Sequence, residues 1–161
     1  ADPLAKATAL NAQFASVTRP DDPLLSIPPI LTPSEPSACF TSVITTTATV
    51  RRHLKKLPTC KASGPDGIPN RVLKALAPSI AFPLCHIFNM SFTTGIFPSA
   101  WKTAKVIPVF KKGSRHEPAN YRPISLLPCV SKVCERIFYD HLYRHVSPFL
   151  SPAQSGFRKG D

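Results

Sequence analysis

The chain has 161 residues, 43% of them hydrophobic, and a formal net charge of +11 at neutral pH. Single domains commonly run to about 100–150 residues, so this length builds one modest hydrophobic core and leaves little room for a second. No stretch reaches the roughly 18 uninterrupted apolar residues of a membrane helix, because the most apolar one, Ser79 to Phe92, is interrupted by Pro83, His86 and Asn89.

From Pro3 to Val17, Leu4, Ala7, Leu10, Phe14 and Val17 recur at helical spacing and predict a short amphipathic helix. Six prolines between Pro20 and Pro36 then remove backbone donors that a helix or inner strand would need. Residues 1–40 are therefore expected to be an N-terminal helix followed by an extended proline-rich linker, with residues 18–37 the least ordered internal stretch. Phe40 to Ile44 suggests a short strand. Thr47 is placed to cap a helix with Val50, Leu54 and Leu57 on one face.

A helix is expected around Pro69 to Ala77, passing at Pro78 into a second with Ile80, Leu84, Ile87, Phe88 and Ser91 inward and Gly95 at its end. Lys105 to Phe110 and Tyr121 to Leu126 read as strands joined by a polar loop, with prolines that suit edges or bulges. Ser131 is placed to cap a last helix, with Val133, Ile137, Phe138, Leu142 and Val146 inward and Pro148 as its stop. The fold class expected is α+β, mostly helical with a short antiparallel hairpin.

Charge is unevenly distributed along this pattern. Residues 1–50 hold two basic and four acidic groups, whereas residues 51–161 hold eighteen basic and five acidic ones. A basic surface concentrated in one part of a chain attracts polyanions by Coulomb steering and counterion release, and nucleic acid is the commonest such partner. A solvated face that only aids solubility is the alternative that charge alone leaves open. The five cysteines are odd in number and contain no CxxC, which points to a reduced, intracellular protein. The only methionine is Met90, so Ala1 is not expected to be a translation start and the chain is expected to be a cropped segment; no secretory signal opens the sequence.

Gly64-Pro65-Asp66-Gly67 has proline and glycine where a tight turn uses them. Lys61 before it and Asn70-Arg71 after it leave room for a phosphate contact through exposed amides. Antiparallel pairing of the two strands would bring Lys111, Lys112 and Arg122 together at one end. Two ammonium groups and a guanidinium fork suit a triphosphate or a nucleic-acid backbone, although a KKG turn by itself is only a charged hairpin tip.

Cys129, Cys134, His141 and His145 give the spacing C-x4-C-x6-H-x3-H. Apolar residues interleave them at core spacing, and the gap from Cys to His is far shorter than the roughly 12 residues of a zinc finger, so no metal site is assigned. Phe138-Tyr139-Asp140-His141 lacks a second aspartate. Two-metal phosphoryl transfer needs several carboxylates around ions about 3.5–4 Å apart. Beyond residue 50 the only acids are Asp66, Glu117, Glu135, Asp140 and Asp161, no two adjacent in sequence, so no catalytic residue is assigned either.

Five blocks in fixed order carry a resemblance: KASGPDGIP (Lys61 to Pro69), WKTAKVIPVFKKG (Trp101 to Gly113), NYRPISLL (Asn120 to Leu127), SKVCERI (Ser131 to Ile137) and QSGFRKG (Gln154 to Gly160). Together they resemble the reverse transcriptases of non-LTR (LINE-type) retrotransposons over about residues 58–161, and more weakly near Leu10 to Val17. The resemblance implies that residues 41–161 form the fingers and the start of the palm of a right-hand polymerase, cut short of the palm aspartates. It implies that Lys111, Lys112 and Arg122 hold the phosphates of an incoming deoxynucleoside triphosphate, and that Gly64, Pro65, Asp66, Gly67, Lys105, Arg158 and Lys159 lie towards template RNA. A DNA primer, the missing palm and thumb of the same polypeptide, and magnesium held by the complete enzyme rather than by this segment are further implications, as is a nuclear location for the complete protein. The alternative is a non-catalytic nucleic-acid-binding remnant of such an element.

Overall fold

The computed structural model describes residues 2–17, 40 and 42–150. The proline-rich stretch at 18–37 and the basic pair Arg158 and Lys159 lie outside the described residues. Five α-helices and two strands follow one another: α1 (Pro3–Ser16), α2 (Thr47–Lys55), α3 (Asn70–Ala75), α4 (Ala77–Thr94), β1 (Lys105–Phe110), β2 (Tyr121–Leu126) and α5 (Cys129–Val146). This mostly helical composition with one antiparallel hairpin fits the α+β class expected. The chain separates into two compact units, one of Ala1–Ser37 with Lys105–Leu126, the other of Ala38–Ala104 with Leu127–Asp161.

In the helical unit, α2 packs against α3, α4 and α5. Val50 and Leu54, one turn apart on its inner face, are fully enclosed, and Leu57 packs at the edge of the same core. The helix starts one residue earlier than a cap at Thr47 would set it. Thr46 is the cap, its Oγ1 accepting a hydrogen bond from the Thr49 amide at 3.2 Å, and it satisfies one of the donors that a helix start leaves open.

The segment from Phe40 to Ile44, which leads into α2, is not the strand its sequence suggests: among the described residues it makes no strand pairing. Burial does alternate as a strand's would, with Val43 and Thr45 buried and Ile44 68% exposed. What replaces the neighbouring strand is one side chain of α4: the Thr45 amide donates to Asn89 Oδ1 at 2.8 Å, and Asn89 Nδ2 donates back to the Thr45 carbonyl at 3.0 Å. A side-chain amide carries the same donor and acceptor as a peptide, so it completes the backbone without a ladder.

The helix expected at Pro69 to Ala77 is confined to Asn70–Ala75, after which the chain reaches Leu76 at φ −84°, ψ 2° and restarts as α4. Pro78 falls in the first turn of α4, where its missing N–H is one that no intrahelical acceptor would have used. The inner face of α4 is Ala77, Ala81, Cys85, Phe88 and Ser91, while Ile87 is 40% exposed and does not belong to it. Pro83 sits on the exposed side of the same helix, where water can take the carbonyl left unpaired by its ring. Gly95 ends α4 in the left-handed conformation at φ 70°, as its position predicts. Trp101 then closes the core edge-on against Phe88 at 5.8 Å and Phe97 at 5.6 Å.

Ser131 does not cap α5. The helix begins two residues earlier behind Pro128, and Ser131, fully buried in its first turn, donates its hydroxyl to the Pro128 carbonyl at 2.9 Å. Cys129, Val133, Cys134 and Ile137 form the buried face. Phe138 is 37% exposed and lies against Phe40 and Phe92. Burial pushes the thiol of Cys134 up to about 12, with Glu135 adding to the shift, and burial likewise raises that of Cys129. Both therefore stay protonated and pack as small apolar side chains. Among the described residues no three potential metal ligands converge.

In the other unit, the Asp2 side chain caps α1 by accepting from the Leu4 amide at 3.3 Å. No residue of α1 is buried; Leu10 and Phe14 are half-buried, and the helix lies beside the short turn Pro118–Asn120. The hairpin pairs Lys105 with Leu126 and Phe110 with Tyr121 at its two ends.

Because α2 contributes two enclosed aliphatic chains to a core shared by three other helices, Leu54→Ala is expected to lower unfolding stability by about 2–5 kcal/mol. Denaturant unfolding followed by circular dichroism measures this, and a drop below about 1 kcal/mol would show that α2 is not the centre of the core.

Candidate nucleotide and nucleic-acid interface

The hairpin's tip is built by its own side chains. The Lys111 amide donates to the Asn120 carbonyl at 2.8 Å, which carries the ladder one rung past the strands. Asn120 Nδ2 reaches the Ser114 carbonyl at 2.9 Å, and the Tyr121 hydroxyl donates to the Arg115 carbonyl at 3.0 Å. Phe110 and Tyr121 meet edge to face at 5.5 Å, with the Arg115 guanidinium 4.7 Å from the Phe110 ring centre. Gly113, at φ 90°, lies so close to Asn120 that a Cβ there would stand 2.7 Å from Asn120 Nδ2. The loop is a fixed turn held through the Asn120 side chain.

The register also explains both prolines of the hairpin. Bonded and non-bonded rungs alternate in an antiparallel pair, and the bonded rung at Lys111 and Asn120 puts Pro108 opposite Pro123 on a non-bonded one. There an N–H would point away from the partner strand, so neither ring removes a bond between the strands.

Arg122 stands opposite Val109, on the rung next but one to that of Lys111 and Asn120. Cross-strand partners and alternate residues share a face, so Lys111 and Arg122 are diagonal neighbours on one side of the tip. Lys112 falls in the bend that follows. All three are exposed, and among the described residues no carboxylate pairs with any of them. Lys105 lies at the other end of β1, about 20 Å from Lys111 at 3.3 Å per residue, and does not join this group.

In the helical unit, the GPDG segment is the turn expected. The Gly67 amide donates to the Gly64 carbonyl at 3.2 Å, and Asp66 Oδ1 accepts from the Ile68 amide at 3.2 Å. Those two amides serve the turn itself and are not the open donors that a phosphate contact would use. Gly64 is buried, so only Pro65, Asp66 and Gly67 present a surface. The reason for glycine at 64 is close approach: a Cβ would stand 2.5 Å from the Pro128 nitrogen and 2.6 Å from the Leu127 carbonyl carbon. The turn is thereby pressed onto the backbone that starts α5.

A third concentration of cations, not singled out by sequence reasoning, lies between α2 and α5. A cleft of about 1020 Å³ there is lined by Arg52, Lys56, Lys132, Arg136 and Arg144, with Asp140 the one carboxylate. The signal that could have found it is the four-residue spacing of Lys132, Arg136, Asp140 and Arg144, one stripe of α5. Asp140 engages Arg136 at 3.2 Å and lies 3.6 Å from His53. Burial holds the His53 imidazole below its ordinary value; Asp140 pulls the other way, but Arg52, Arg136 and Lys56 reinforce the lowering. At neutral pH His53 is therefore uncharged, and the cleft's carboxylate is set against Arg136.

Known proteins share much of this sequence. Over 112 residues, 68% of its length, the chain is 37% identical to the RNA-directed DNA polymerase from mobile element jockey of Drosophila melanogaster, 12% of which is covered. It is 44% identical over 103 residues to the probable RNA-directed DNA polymerase from transposon X-element of the same fly, with 62% of the chain and 11% of the relative aligned. A retrovirus-related Pol polyprotein from type-1 retrotransposable element R1 of Bradysia coprophila is 31% identical over 103 residues, 62% of the chain and 10% of the relative. The chain thus spans only 10–12% of the length of these curated relatives. No protein-family model matches it.

The two glycines of the GPDG turn should respond differently to substitution. Gly64→Ala drives a methyl into rigid backbone and is expected to cost about 1–3 kcal/mol or more. Gly67→Ala meets open space at φ 67° and is expected to cost only the roughly 1–2 kcal/mol of a left-handed alanine. Thermal unfolding of the two variants measures the order, and a more damaging Gly67→Ala would reverse the roles assigned here.

Proposed function

We propose, on the premise that this chain is homologous to a short segment of the RNA-directed DNA polymerases of non-LTR retrotransposons, that it is the fingers and early-palm portion of such an enzyme. Its task in that reading is to seat the incoming deoxynucleoside triphosphate and to guide template RNA and DNA primer. The observation that supports this best is the cationic hairpin tip: exposed Lys111 and Arg122 share one side of a turn fixed by Asn120 and Gly113, and no described carboxylate neutralises them. Phosphoryl transfer asks a protein mainly for positioning and charge stabilisation. A guanidinium can meet two phosphate oxygens at once, while Lys111 and Lys112 add mobile ammonium charges beside it. Pro65, Asp66 and Gly67, with Lys105, Arg158 and Lys159, would face the template.

Among the described residues the acids do not gather as a magnesium site requires. Asp66 is committed to its turn and Asp140 to Arg136 and His53, and no set of three potential ligands forms among the described residues. The metal and its aspartates would belong to the rest of the complete polymerase, working in the nucleus where a chromosomal target is available.

Two measurements test this reading. The 161-residue chain by itself is expected to extend no primer on an RNA template in the presence of magnesium, and measurable extension would place a catalytic carboxylate set within it. In a complete polymerase carrying this segment, Arg122→Ala is expected to weaken nucleotide use more than template binding, because it removes charge-assisted bonds to phosphate worth about 1.5–3 kcal/mol each. Arg122→Lys should recover only part, since charge remains but the planar fork does not. Steady-state kinetics decide it, and an unchanged nucleotide KM and kcat for Arg122→Ala would leave the residue an ordinary charge on a hairpin edge.

A further inference from the structure

The cleft between α2 and α5 combines two features. The first is an excess of positive charge held along two helices: Arg52 and Lys56 on the α2 side, Lys132, Arg136 and Arg144 on α5, all exposed, against the single carboxylate of Asp140. Of these cations only Arg136 is paired with a described carboxylate. Residues spaced by four on a helix advance about 6 Å per step, so Lys132, Arg136 and Arg144 form a row about 18 Å long. A row of that kind matches a chain of phosphates better than a single compact anion.

The second feature is aromatic. Tyr139 and Tyr143, one turn apart on α5, stack at 5.4 Å with their planes 23° from parallel, and both line the cleft. The Arg136 guanidinium lies 5.1 Å from the Tyr139 ring centre, extending the column. Tyr139 is 38% exposed, so the column borders open solvent along its side. Phosphate-tracking cations beside aromatic faces are the combination by which proteins hold single-stranded nucleic acid without reading its sequence. An acidic peptide would use the charges and leave the aromatic column idle.

We propose that the α2–α5 cleft is a binding groove for single-stranded nucleic acid, with Arg52, Lys56, Lys132 and Arg144 on the phosphates and the Arg136–Tyr139–Tyr143 column stacking against bases. The assignment rests on the reading of the chain as a nucleic-acid-handling segment but uses none of the hairpin residues. Asp140 acts as a positioning residue that fixes Arg136 over Tyr139. An RNA strand and a DNA strand present the same phosphates and base faces, and the groove discriminates between them only weakly.

The test uses the 161-residue chain and fluorescein-labelled oligouridine and oligothymidine of about 12 nucleotides, with affinity followed by anisotropy across a salt series. The parent is expected to bind both, with log affinity falling linearly against log salt. Combined Arg52→Gln, Lys132→Gln and Arg144→Gln should reduce the slope by about 0.7 for each phosphate that the variant no longer neutralises. Tyr139→Ala should weaken binding at least about fivefold, whereas Tyr139→Phe, which keeps the ring, should retain it. Parental affinity and slope in the triple variant would overturn the proposal, as would polyglutamate competing as well as unlabelled oligouridine at equal charge. A triple variant that fails to fold is replaced by photocrosslinking of 4-thiouridine oligomers to the parent: crosslinks on Tyr139 or Tyr143 support the groove, and crosslinks confined to other elements overturn it. Lys111→Gln with Arg122→Gln, measured in parallel, separates the two readings. Binding abolished only in that variant overturns the groove and leaves the hairpin assignment standing; binding abolished only in the cleft variants does the reverse.

Discussion

Nine residues of α2 hold the helical unit together. Val50 and Leu54 are fully enclosed, and they meet a core to which α4 contributes the small side chains Ala77, Ala81 and Cys85 and the large, fully enclosed Phe88, with Ile80, Leu84 and Phe92 packed partly buried around them. Small residues let helix axes approach closely, and close approach is what turns two apolar stripes into a packed interior. An isolated helix of this length would be marginal in water, so α2 owes its stability to this burial. The polar side of the same helix is then fixed as rigidly as its apolar side. Arg52, His53 and Lys56 stand opposite α5 because Val50 and Leu54 have nowhere else to go.

That geometry carries an electrostatic cost. Five fixed cations around one carboxylate repel one another, and an unliganded surface of one sign lowers the stability of the compact state. The arrangement persists because its charged groups remain exposed to water, where screening reduces each pairwise term to roughly 1 kcal/mol at 4 Å, and because the core beneath is tightly closed. His53 shows the limit of that tolerance: with only 15% of its side chain exposed, it is kept neutral despite a neighbouring aspartate. A bound polyanion would remove the repulsion without asking any helix to move.

Much of this is readable from the sequence wherever a periodic pattern runs long enough to outvote its ends. The last helix, the hairpin and the helix stop at Gly95 follow from apolar spacing and from the conformations open to glycine. Helix starts are less legible. Thr46 and Thr47 are chemically equivalent caps, and Ser131 resembles a cap in sequence, although its hydroxyl serves the Pro128 carbonyl from inside the first turn. The segment before α2 alternates as a strand does, but its partner is the Asn89 side chain, forty-four residues away, and no local pattern announces such a contact. The candidate hairpin site is foreseeable because a tight turn forces its two ends together. The cleft is not, because the apolar face of α5 dominates its pattern, and the charged stripe on the other side has the look of ordinary solvated surface until α2 is set opposite.

Gly64 connects these observations within the helical unit. Its missing side chain lets the GPDG turn rest on the peptide between Leu127 and Pro128, at the point where α5 begins. The turn's conformation, closed by the Gly64 carbonyl and the Asp66 carboxylate, is thus coupled to the placement of α5 and so to the row from Lys132 to Arg144. A sequence block that looks like a self-contained loop has a structural duty: it sets the start of the helix that carries the cations. Asp66, by accepting a hydrogen bond from the Ile68 amide, stabilises the turn. Shape at residues 64–67 and charge on α5 are therefore linked, the turn setting where the helix begins and the helix carrying the row of cations.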